Sequence, residues 1–401
     1  MPAAAAMQTA SGVAATLPEP PAAPADRAPH IALILPLNSP TFARAADAVR
    51  QGFLASAQVQ QGLPVRVYAS NDEPKEFVEL YRKAIGDGAV AVAGPLTRNA
   101  VAALVSYPDI SVPTLALNFA DTYQSGSNLY FFGLPAENEA RRVAQLAAEA
   151  GLHDATIIST DTPIAKRLAA AFADEWGKLG GSITAEVKFS GDFSVLNKLP
   201  VAPWPPGQEP KPASAVSATG EPIASNRPFI PPVAPGNMAF LATEHKAARL
   251  IRPYLNPTLP VYATSLLFTG NDKTLDNFDL NDVHFVDMPW LLQPDHPAVM
   301  IFPRANPPLS PEMDRLYALG IDAYRIVYVL LTNGKLPLDG VTGSIEFDRQ
   351  QFLREPIPAF FRQGLGLTKE TLAALNAAKA AAEAAAKQQA ENASAPVATE
   401  K

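Results

Sequence analysis

The chain has 401 residues, 48% of them hydrophobic, with 32 basic against 39 acidic side chains and a formal net charge of −7. That length suggests roughly two to three domains' worth of material, and the acidic balance leaves no surplus to neutralise phosphates, which argues against nucleic acid as a partner. Cysteine is absent, which removes thiol nucleophiles, disulfides, iron–sulfur clusters and thiolate zinc sites together. No run approaches the roughly 18 continuous apolar residues of a membrane span.

Residues 1–29 lack both a basic start and a continuous apolar stretch, so they read as a flexible Ala/Pro tether and not as an intact signal peptide. A regular rhythm follows. "IALILP" (31–36) reads as a buried strand, 42–58 as a helix, 64–70 as a strand and 73–88 as a helix closed by glycine. The strand "AVAVAG" (89–94), a helix from Thr97 to about Val105 and the strand 113–118 complete the set. Strands alternating with helices over short connectors predict a parallel sheet covered on both faces.

The rhythm then restarts. The strand 129–134 leads into the helix 135–151, and strand 154–160, helix 163–181 and strand 182–190 follow. After an interruption, 237–243, 244–255 and 260–265 read as strand, helix and strand. Two sets of similar size predict an α/β protein of two Rossmann-like lobes, about 30–134 plus late segments and about 135–265. Ligands of such sheets sit beyond the carboxyl ends of the strands, which points to a cleft between the lobes.

The loops at those ends carry small polar residues. They offer Asn38 and Ser39, Thr97, and Asn118 with Phe119 in the first lobe, then Asp161, Thr264 and Ser265 in the second. Almost all stand beside a helix N-terminus, whose free N–H groups suit a carboxylate or another anion. The plainer explanation for any one of them is a helix cap. Further on, "VHFVDMPWLLQPDHP" (283–297) delivers Asp287 and Trp290 towards the hinge or cleft rim, as ammonium partner and ligand aromatic or as interface packing. In the helix 317–331, Asp322 and Arg325 flank the apolar face.

Catalytic patterns are missing. His30, His153, His245, His284 and His296 show no i,i+4 pairing, so no metal site is expected, and His245 beside Glu244 reads as a cap-region pair. There is no G-x-S-x-G elbow and no S-x-x-K. "GDGAVA" (86–91) fits a dinucleotide string but ends a helix and opens a strand, the reverse of the required context. No enzyme and no cofactor are expected.

The order of elements, with "LDGVTGSIEFDRQ" (338–350) as a late hairpin, resembles the type I periplasmic-binding-protein fold, the Venus-flytrap architecture of branched-chain amino-acid receptors. Within it, "IALILPL", "VAVAGPLTRNAVAAL", "TLALN", "FFGLPAENEARRVA", "AARLIRPYL", "LPVYATS", "DMPWLL" and "LYALGIDAYR" together resemble the LppC/LpoA lipoproteins, activators of penicillin-binding proteins at the Gram-negative outer membrane. The resemblance runs from about residue 30 to about residue 365. It implies a non-catalytic envelope protein that binds a class A penicillin-binding protein and stimulates peptidoglycan synthesis. It also implies a periplasmic location at the inner face of the outer membrane, through a lipid anchor on an N-terminal cysteine that this chain lacks. No 34-residue period precedes residue 30, so the helical-repeat domain of the fuller family pattern is not expected.

Two segments stand apart. The insertion 200–236 is too rich in proline for helix or central strand and is expected as an extended loop on the second lobe, with Trp204, Phe229 and Ile230 as contact points. Residues 367–401 read as a peripheral Ala-rich helix that frays into a tail. A second functional reading competes with the regulator: a periplasmic receptor that delivers an amino acid or similar small anion to an ABC transporter. A receptor needs an open polar cleft that closes on its solute; a scaffold does not.

Overall fold

The computed structural model describes residues 27–120, 128–196, 199, 201–204, 206–209 and 232–394, with backbone alone from 388 onward. Phe229 and Ile230, most of the tether and the end of the tail lie outside the described residues. The first run of elements is β1 (His30–Leu35), α1 (Ala43–Gln60), β2 (Val65–Ala69), α2 (Pro74–Gly86), β3 (Ala89–Ala93), α3 (Arg98–Val105), β4 (Thr114–Ala116) and β5 (Leu129–Phe132). The second is α4 (Ala136–Glu149), β6 (Asp154–Ser159), α5 (Pro163–Lys178), β7 (Ser182–Lys188), β8 (Asn237–Ala242), α6 (His245–Ile251), β9 (Val261–Ala263), α7 (Thr274–Asn277) and β10 (Val283–Asp287). The chain then returns through α8 (Pro289–Leu292), α9 (Pro297–Met300), α10 (Pro311–Thr332), β11 (Leu338–Gly340), β12 (Gly343–Asp348) and β13 (Gln351–Glu355). It ends with β14 (Ile357–Arg362), β15 (Leu365–Leu367) and α11 (Lys369–Ser394).

Two sheets result, and they repeat one plan. The first runs β11-β12-β13-β5-β4-β3-β1-β2 and the second β15-β14-β10-β9-β8-β6-β7. Within them, β5-β4-β3-β1-β2 and β10-β9-β8-β6-β7 are the same parallel order, each doubly wound. All six residues of β1 and of β8 are buried, as expected of strands covered on both faces. Proline opens α2, α5 and α10, and Thr162 Oγ1 accepts from Ala165 N to cap α5. The α/β class and the two parallel-dominated sheets are those the sequence predicted, and the 338–350 hairpin forms from β11 and β12, with β13 pairing on the other side of β12.

The last strands were not read from the sequence. β14 pairs antiparallel with β10, and β15 pairs with β14, so residues 357–367 complete the second sheet. The chain therefore passes between the lobes three times. The prolines at 356 and 358 hide β14 in the sequence, because proline suits only strand edges and ends.

Each sheet is sealed by its own helices. In the first lobe α1 and α10 cover one face with Val49, Phe53, Leu319 and Ile326, and α2 and α3 cover the other with Phe77, Tyr81 and Leu104. In the second, Phe172 stacks on Phe240 at 4.2 Å and on Trp176 at 5.4 Å beneath α4 and α5. α1 and α10 approach backbone to backbone. A Cβ on Gly52 would lie 1.8 Å from the Tyr317 carbonyl oxygen, and one on Gly320 would lie 2.1 Å from that of Val49. The close crossing holds α10 against the first lobe and so fixes where its first turn meets the second.

Candidate functional site

Two adjoining pockets, of about 240 and 410 Å³, share Leu96, Arg98, Asn118 and Leu316 and make up the cleft. The smaller reaches across to Ile164 and Arg167 of α5 and to Ala136 and Glu137 at the start of α4. Its walls are largely aliphatic. Three charges cross it: the Glu137 carboxylate lies 3.6 Å from Arg98 of the first lobe and 3.4 Å from Arg167 of the second. Glu137 thus occupies the place where an anionic ligand would find its cations.

Behind the cleft, buried ion pairs join the lobes. Arg315, in the first turn of α10, donates to both Asp287 oxygens, at 3.1 and 2.5 Å, and to the carbonyls of Ser265 and Phe268. Asp287 has no solvent exposure and Arg315 only 12%. Arg354, on β13, pairs with Glu139, on α4, and also donates to the Thr342 carbonyl. Glu139 Oε2 accepts from Ser265 N at 3.0 Å, so this carboxylate grips the end of β9 as well. Arg142 reaches Glu355 at 2.8 Å in a more exposed pair. Each pair has one partner in either lobe. Charges this deep persist only when paired and hydrogen-bonded on most sides.

A third buried carboxylate steadies the return segment. Asp322 accepts from the backbone N–H groups of Val341 and Thr342, from the Thr342 hydroxyl and from Arg325. Burial pushes its carboxyl above the ordinary range, against the opposing pull of Arg325 and these hydrogen bonds.

Of the sequence-predicted cleft residues, Thr97 and Asn118 line the cleft. Thr97 donates to Asp72 at 2.5 Å and Asn118 to the Leu96 carbonyl, so both are engaged in holding loops. Ser39 is buried and accepts from the N–H groups of Thr41 and Phe42, while Asn38 is exposed. Phe119 packs in the α2–α3 core. Asp161 is 80% exposed and pairs with Lys166 at 2.7 Å.

The remaining four lie in the hinge. Thr264 and Ser265 are buried, and the Ser265 backbone serves Glu139 and Arg315. The Asp287 carboxylate is paired with Arg315. Trp290 is fully buried, with its Nε1 donating to Asp314 at 2.9 Å and the Arg304 guanidinium 3.7 Å from its ring centre. Asp322 likewise faces the hinge segment and not the cleft. His245 bonds to Asn277 at 3.1 Å, in place of the expected pairing with Glu244.

Arg98, Glu137 and Arg167 stand in segments already read as loop or helix, but their meeting depends on tertiary distance. Arg315 and Asp287 are 28 positions apart and Arg354 and Glu139 are 215 apart, so no local pattern signals either pair. Among the described residues no group of three or more metal-ligating side chains could hold an ion, and no helix is long and apolar enough to cross a membrane.

Residues 24–360 match the family model described as LppC putative lipoprotein. The chain belongs to the LppC lipoprotein family. Among curated relatives of the family, the penicillin-binding protein activator LpoA of Enterobacter sp. is 24% identical over 320 residues, covering 73% of this chain and 42% of its own length. The chain spans about half the length of the curated relatives it matches. Full-length LpoA from Haemophilus influenzae superposes with a TM-score of 0.66 at 19% identity, over 86% of this chain and 59% of that one. A structure described as a putative branched-chain amino acid ABC transporter from Chromobacterium violaceum is 32% identical, with a TM-score of 0.65, over 83% of this chain and 99% of that one. The two-lobe type I periplasmic-binding-protein fold of the family is therefore that of this chain.

Proposed function

We propose that the chain is a non-catalytic regulator of the bacterial envelope that binds a class A penicillin-binding protein and activates peptidoglycan synthesis. Membership of the LppC family and the activator name carried by its curated relatives support the partner. The observation that carries the scaffold role is the cross-braced hinge, Arg315 on Asp287 and Arg354 on Glu139. A flytrap receptor works by rotating its lobes around a solute, whereas these pairs hold them at one angle. Glu137 between Arg98 and Arg167 further fills the cleft with the protein's own charges. The location is periplasmic in this reading.

The test adds the purified chain to a purified class A synthase and measures crosslinking of the product. A rise in crosslinking is expected; no change at micromolar excess overturns the proposal.

A second reading, a solute receptor for an amino acid or similar small anion, draws support from the 32% identity to the Chromobacterium violaceum protein over nearly all of that chain. A panel of amino acids separates the two. A receptor's melting temperature rises sharply with its solute, and the regulator's does not move.

A further inference from the structure

A well-formed hollow is on the flank of the second lobe, away from the cleft. It measures about 630 Å³ and lies between α4, the sheet surface of β9, β10 and β14, and the first turn of α11. That volume is in the range of small-molecule sites, roughly 300–1,000 Å³. Its floor is apolar, with Val143 and Leu146 of α4 facing Ala359 and Phe360 of β14.

Two polar side chains rise from this floor. Tyr262 and His284, on neighbouring strands, stack with their ring centres 4.9 Å apart. Tyr262 is only 9% exposed. Among the described residues neither the phenol nor the imidazole has a hydrogen-bond partner, and the phenol oxygen opens onto the hollow, where water or a ligand can reach it. Burial lifts the Tyr262 phenol and lowers the His284 imidazole, so both are neutral at pH 7. At the rim stands Lys369, whose ammonium has no ion-pair partner among the described residues. Arg142 lines the wall with a buried Nε–H that lacks an acceptor. The Arg142 guanidinium is paired through its terminal nitrogens with Glu149 at 3.2 Å and Glu355 at 2.8 Å, so Nε–H is the part of it left to a ligand, and Glu370 sits beside Lys369 in the first turn of α11.

We propose that this hollow is a binding site for a small organic carboxylate with an apolar body, its anionic group towards Lys369, Arg142 and the Tyr262 hydroxyl and its body on the aliphatic floor. The His284 imidazole completes the polar end as a neutral donor or acceptor. The site shares no residue with the cleft pockets and is independent of the synthase reading.

The test is isothermal titration calorimetry of the full chain with 2-naphthoate, indole-3-acetate, octanoate and N-acetylmuramate, each beside its primary amide. At least one acid is expected to bind saturably at one site, and its amide about tenfold or more weaker. K369E should weaken the acid about tenfold and Y262F about threefold, while R98A in the cleft leaves it unchanged. Thermal melts of each variant confirm that it is folded. Failure of all four acids to saturate, equal binding of acid and amide, or loss in R98A with retention in K369E would each overturn the proposal.

Discussion

Arg354 and Glu139 come from different lobes and meet in the hinge with only 5% and 4% of their side chains exposed. Neither charge has solvent to fall back on. Removing one partner leaves the other buried and uncompensated, which costs about 3–5 kcal/mol. R354M and E139Q are each expected to lose stability on that scale in chemical denaturation. The double variant R354M/E139M should recover most of the loss, because two apolar side chains replace both charges. Equal, additive losses in the cycle would deny the pairing.

The second brace gives a separate expectation. D287N removes the charge opposite Arg315 while keeping the volume, and leaves Arg315 one neutral amide oxygen at that position beside the Ser265 and Phe268 carbonyls. A loss of about 3 kcal/mol or more is expected, with a broader range of lobe angles seen in small-angle scattering. Glu137, 19% exposed in the cleft, is different. E137A should cost under about 1 kcal/mol, as pairs with solvent-exposed partners usually do.

Gly52 and Gly320 mark where α1 and α10 touch. Alanine at either places a methyl carbon inside the van der Waals radius of a backbone carbonyl that cannot move without its helix. G52A or G320A is expected to destabilise by about 2–3 kcal/mol, read as a lower denaturation midpoint. Alanine at Gly86 or Gly177, where nothing lies within 4 Å of the new Cβ, should stabilise slightly or do nothing.

Burial holds the His245 and His284 imidazoles below their ordinary value of 6.5. The unfolded chain therefore binds these protons more readily than the folded one. Their contribution to stability is complete above about pH 6.5 and is lost as the pH falls towards the folded values. The denaturation midpoint should drop between pH 7 and pH 5. H245Q/H284F should flatten that drop, and an unchanged slope would contradict it.

The repeating sheets were legible because their signal is local. Runs such as Ile31–Leu35 and Met238–Ala242 are apolar at every position, and proline or threonine marks where α5 begins. The hinge was legible only as a segment. "VHFVDMPW" announced a strand and left the tryptophan as interface packing or ligand aromatic, and what Asp287 would meet depended on an arginine arriving from α10, 28 positions later. Small polar loop residues stayed ambiguous for a related reason. Ser39 serves its own turn and Asp161 a neighbouring lysine, and sequence cannot separate a cap from a ligand when both want the same hydroxyl or carboxylate.

Rigid lobes are the claim on which the proposed role depends, and the absence of cysteine from the chain makes it directly measurable. Spin labels on cysteines introduced at the exposed positions Lys75, in α2, and Lys178, in α5, report the distance between the lobes. A braced hinge gives one narrow distance distribution that stays put when amino acids or a class A synthase are added. Two populations in the free protein, or a shift of several ångströms on adding a solute, would contradict it.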